Sequence, residues 1–289
     1  MRLADPMQKF QDWFTQQWAI FRGEKIDPKD HKWLMGPFGH LNEIGENFII
    51  QLAEQEGLTI DRDDKPKGLI SSINQLDLAE SEIADLSEQV ISFYENTSNF
   101  DFHFVIEWSP LFKIIGAVIN KLFSKRIKQL HFPVGKSENT RPIKSEIITL
   151  TDPETNEIKY TFWLKSFEPN KQIIYLGVYG TCRLPSGKTC IKVVFPLPKG
   201  NATVIMSPSV GENGALILDS SGKKFGDAGF YFLLNDTKGN YWTQYIASFH
   251  DRLIIHPATD CISAEQILTF RKRKVLTFKY KITSVKNDV

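Results

Sequence analysis

At 289 residues, 42% hydrophobic and 24% charged, the chain has the make-up of a globular protein, which excludes disorder and a fibrous repeat. It has room for one large domain or two modest ones. The net charge is +1, and no apolar run of about eighteen residues occurs, so no membrane-crossing helix is predicted. The start MRLADPMQKFQDWF lacks the apolar core of a secretory signal, so a cytoplasmic protein is expected. Cys182, Cys190 and Cys261 are odd in number and lack metal-type spacing, which predicts reduced thiols.

The small net charge hides an asymmetry. Residues Met1 to Glu107 carry 9 Lys+Arg against 20 Asp+Glu, whereas Trp108 to Lys144 carry 8 against 1. Blocks of opposite sign mark surfaces that meet each other or a partner.

Asp5-Pro6 offers a helix start, an N-cap acceptor followed by a residue that needs no donor. Phe10, Trp13, Phe14, Trp18 and Phe21 then recur at three and four, a stripe that must pack on the body, on a second subunit or on a membrane. A second helix is predicted from Asn42 to Glu56, closed by Gly57, and a charged exposed link from Thr59 to Lys67. His31 and His40, with Asp27, Asp30 and Glu43 nearby, match no metal-ligand spacing, so no metal is assigned. A third helix is predicted from Leu78 to Tyr94, then a strand over FDFHFVIEW.

Ser109-Pro110 opens the most regular helix pattern, reaching about Leu130, whose charges include Lys113, Lys121, Lys125, Arg126 and Lys128. Such a basic amphipathic helix suits an anionic membrane surface. It equally suits packing against an acidic helix, and the acid block upstream favours that second use.

From Lys144 onward about ten short strands are predicted, separated by turns such as Pro185-Ser186-Gly187-Lys188 and Pro198-Lys199-Gly200-Asn201. With no helices between them they cannot form a parallel sheet. The expected fold class is α+β: a helical N-terminal third followed by a large antiparallel β-meander, closed or partly closed as a barrel, calycin-like by architectural analogy alone. The expected division is a helical segment over 1–67, then a helix pair plus barrel or sandwich over 68–289.

No phosphate loop, dinucleotide fingerprint, zinc-protease helix or paired-cysteine motif occurs. The glycine-rich run Gly222 to Gly229 leads into a strand and reads as a wide turn or bulge, although Asp227 within it could face a cavity. Arg271-Lys272-Arg273-Lys274 reads as a solvated hairpin turn in preference to a nucleic-acid contact.

Aromatic residues on the strands fit an apolar pocket with polar handles. Trp163, Tyr175, Tyr179, Arg183, Asp227, Tyr231 and Trp242 are the candidate ligand-binding residues. The leading expectation is a non-catalytic protein that binds a small hydrophobic or lipid-like molecule at or near a membrane, without a cofactor. One alternative is an interaction or homo-oligomerisation module. Another is an enzyme centred on Asp227 and His250.

Overall fold

Among the described residues there are fourteen strands, and all the ladders between them are antiparallel. The structure, a computed structural model, describes residues 17, 20–39, 45–62, 65–109, 143–167 and 172–285. The predicted basic helix with Lys113, Lys121, Lys125, Arg126 and Lys128 lies outside those residues, as does most of the aromatic N-terminal stripe.

Among the described residues three α-helices lie between Ile26 and Phe100. They are α1 (Glu46–Glu56), α2 (Glu80–Asp85) and α3 (Glu88–Glu95). The single helix expected over 78–94 is thus two, broken where Leu86 and Ser87 adopt extended backbone. Two strands come from the stretch read as helical or linking: β1 (Glu24–Ile26) and β2 (Thr59–Asp61). Then follow β3 (Phe100–Trp108), β4 (Ile143–Thr151), β5 (Ile158–Phe167) and β6 (Gln172–Arg183). The meander continues with β7 (Thr189–Leu197), β8 (Gly200–Val210), β9 (Leu216–Asp219) and β10 (Gly229–Asn235). It ends with β11 (Tyr241–Tyr245), β12 (Phe249–Pro257), β13 (Ile262–Phe270) and β14 (Arg273–Ser284).

The ladder runs β2-β4-β5-β6-β7-β8-β9-β12-β13-β14-β3, with β10, β11 and β1 branching from β8. It does not close. Among the described residues the closed barrel expected from the meander is not formed: the sheet is antiparallel and open, and β2 and β3 end the path without pairing to each other.

β8 is the strand on which the sheet turns. Its first half lies between β7 and β10, while Ser207 to Val210 pair with β9. Pro208 falls in that second half, where a residue with no N–H suits a strand that has lost one neighbour. One strand serving two sheets is how a corner is made in packed sheets.

Two apolar clusters fill the opposite faces of the central strands. On one side α1 places Phe48, Ile49 and Leu52 against Ile148, Phe162 and Leu176. On the other, α3 and the segment before it join residues from β3, β5, β7, β8, β12 and β14. Gly68 is required there, because a Cβ would stand 2.3 Å from the Tyr94 carbonyl oxygen. Leu69 N–H donates to that carbonyl at 2.9 Å, and Thr97 Oγ1, itself donating to Phe93 O, accepts from Leu69 N–H. The tail of α3 and residues 68–70 are thereby held as one lid-like edge over the sheet.

Candidate functional site

The second face surrounds a cavity of about 370 Å³, lined from β3, β5 to β10 and β12 to β14, with Leu69, Phe93 and Tyr94 closing it from the α3 side. That is at the small end of the roughly 300–1,000 Å³ usual for ligand pockets. Most of the lining is aliphatic or aromatic. Apart from Tyr94, its polar groups fall in three places.

The first is Lys165. It lies two residues beyond Trp163 on β5, so both side chains project to the same face. Lys165 is only 7% exposed. Its ammonium lies 3.6 Å from the centre of the Trp163 ring, 4.7 Å from Phe102 and 5.3 Å from Tyr175. Among the described residues it forms no ion pair. Ring quadrupoles compensate part of the lost hydration, yet burial still pushes its pKa down to about 7.

The second is the hydroxyl pair of Tyr175 and Tyr179 on β6, hydrogen-bonded to each other. Trp163 touches both rings edge-on, with centroids 6.0 and 5.4 Å away, while its indole N–H donates to Ser145 Oγ at 2.8 Å. Burial raises both phenols above their ordinary pKa, so they stay neutral donors and acceptors.

The third crosses three neighbouring strands. Tyr280 on β14 donates to Gln266 Oε1 at 2.9 Å, and Gln266 on β13 donates from Nε2 to Asp251 Oδ2 on β12 at 2.7 Å. Asp251 is 6% exposed, and its other oxygen is buried without a hydrogen-bond partner. Burial pushes its carboxyl up to about 7. The backbone beneath is fixed, with Asp251 N–H donating to Ser220 Oγ at 2.6 Å.

Of the residues singled out in the sequence, Trp163, Tyr175 and Tyr179 meet in this cavity. The others stand elsewhere. Arg183 points back to its own hairpin, donating to Gly187 O at 3.0 Å. Asp227 accepts from Lys223 and Lys224 N–H and so organises the glycine-rich turn. Tyr231 is fully buried in a separate cluster, its hydroxyl accepting from Gly226 N–H and donating to Asp227 O. Trp242 donates to Asp236 Oδ2 at 3.0 Å in the β10–β11 turn. His250 adjoins Asp251 in sequence and therefore projects to the other side of β12, and Asp227 is committed to its turn.

Lys165, Asp251, Gln266, Tyr280 and Phe102 are among the cavity residues that sequence reasoning missed. The parity of β5 offered a signal for Lys165, since any residue two away from a lining Trp163 shares its face. Among the described residues no group of three His, Cys, Asp or Glu side chains is placed to hold a metal.

No protein-family model matches the chain, and no solved structure matches it. The chain is similar to a protein of Bacillus subtilis (strain 168) named "Uncharacterized membrane protein YndJ", with 24% identity over 216 residues. The match covers 74% of this chain and 37% of the Bacillus protein, so it spans little more than a third of that relative's length. This corrects the cytoplasmic expectation: the relative is a membrane protein by name. Among the described residues, no helix is long and apolar enough to cross a bilayer.

Proposed function

We propose that the protein binds a small, largely apolar molecule in the cavity between β3, β5 to β8 and β12 to β14, without catalysis. The observation that carries this reading is the cavity itself: about 370 Å³ lined chiefly by aliphatic and aromatic side chains, with its few polar groups gathered on three patches. Sites of that make-up gain affinity from apolar burial and orientation from the polar few. In this reading the open sheet does the work assigned to a barrel, curling far enough round its branch at β8 to enclose a ligand.

The place of action is at a membrane, supported by similarity to over a third of a protein named for one. The bilayer would then be both the source and the destination of the ligand. Native mass spectrometry of freshly purified protein, followed by denaturation and organic extraction, tests the reading. One apolar molecule released per chain, or stoichiometric uptake of a fluorescent apolar probe, is expected. An empty protein that takes up no apolar probe would overturn it.

A further inference from the structure

The apolar cavity proposed above holds two buried ionisable side chains, Lys165 and Asp251, and among the described residues neither forms an ion pair. Lys165 comes from near the end of β5, is more than nine-tenths buried, and lies against Trp163, Phe102 and Tyr175 with no anionic partner among the described residues. A surface lysine reaches water along its flexible stem; this one is held inside. Burying an ammonium without a counter-ion is among the most unfavourable arrangements a core can adopt. The rings around Lys165 offset part of that cost, and an anion from outside the chain would offset the rest.

The lining limits what that can be. A cationic ligand would face the ammonium in a cage of rings that Lys165 already occupies. A neutral ligand would leave the charge unpaired. Asp251 cannot serve, because its hydrogen bond goes to Gln266, and no ion pair joins it to Lys165. Burial keeps the tyrosines that face the same space neutral: Tyr280 spends its O–H on Gln266, whereas the Tyr175–Tyr179 pair has one O–H left to turn towards an anion and Tyr94 offers another. We infer that the ligand is an amphiphile with a carboxylate head, paired with the Lys165 ammonium beside the Tyr175–Tyr179 hydroxyls, and an aliphatic tail lying along the apolar wall of β7 and β8. The inference rests on the binding reading above and adds the ligand's chemical class.

Calorimetric titration of the intact protein with decanoic acid and with decan-1-ol, which share a tail and differ in head, tests it. The wild type is expected to bind the acid more tightly than the alcohol by at least about tenfold, the effect of one charge-assisted contact. In Lys165→Met, which keeps the bulk and removes the charge, alcohol affinity should be retained and the preference for acid lost. Equal affinity of the wild type for the two heads, or an acid preference that survives in Lys165→Met, overturns the carboxylate inference and leaves the apolar-ligand reading standing. If neither compound binds the wild type, both fall together.

Discussion

Tyr175 lies flat along β6 over Gly177, so that a Cβ on Gly177 would stand 2.8 Å from the Tyr175 hydroxyl. The absence of a side chain at that one position lets the ring fold down the strand and reach Tyr179. Gly177→Ala should lift the ring, separate the hydroxyl pair and lower stability by about 1–3 kcal/mol, as overpacking in a filled core does. Urea denaturation of the variant checks this. An unchanged midpoint would show that Tyr175 has another rotamer of equal energy.

Lys165 and Asp251 give opposite slopes to stability against pH. The Asp251 carboxyl rises from 3.8 to about 7 on folding, so the native state holds its proton more tightly and stability falls as pH rises between those values. The Lys165 ammonium falls from 10.5 to about 7, so the unfolded chain binds the extra proton and stability rises from about pH 7 to 10.5. Each unit of separation is worth about 1.4 kcal/mol. Unliganded protein should therefore show a dip in stability near neutrality. Asp251→Asn should remove the acid-side slope and Lys165→Met the alkaline one, each measured by thermal unfolding across pH.

Tyr231→Phe separates structure from binding. Removing its hydroxyl deletes two hydrogen bonds that close the turn at Gly226 and Asp227, an expected loss of about 1–3 kcal/mol. Affinity for an apolar probe should be unchanged, because Tyr231 lies in another cluster. Trp163→Ala should do the reverse to binding, weakening probe uptake several-fold by opening the wall of the cavity.

Thiol reactivity should divide two ways. Cys182 and Cys190 face each other across β6 and β7, both buried, and burial pushes the Cys182 thiol up to about 12. Cys261 is partly exposed. A disulfide reagent at neutral pH should titrate one thiol quickly and the remaining two only in denaturant. Rapid reaction of all three would mean that the β6–β7 hairpin opens readily.

The strands could be found in the sequence because local chemistry sets them. Gly187 supplies the left-handed turn between β6 and β7, and alternation along Val275 to Ile282 marks β14. Trp163, Tyr175 and Tyr179 were legible as lining because large aromatic residues on a strand need cover. Lys165 and Asp251 were not, since a charged residue on a strand ordinarily marks the solvated face. What reverses that rule is the curl of the sheet, which brings β12 to β14 opposite β5. No neighbouring residue encodes it. The missing closure has the same origin: which strand meets which is decided by β8, where one strand changes neighbours midway.

β3 lies at the far end of the ladder and is held in the sheet by β14, from Phe100 opposite Ser284 to Trp108 opposite Leu276. The cavity wall begun by residues 100–108 therefore waits for residues 273–284. As the chain leaves the ribosome, Phe102 and Phe104 and the apolar faces of β5 to β8 emerge well before the strand that covers them. Until then the future cavity is an exposed oily surface, the kind that aggregates or calls for a chaperone while a chain is unfinished.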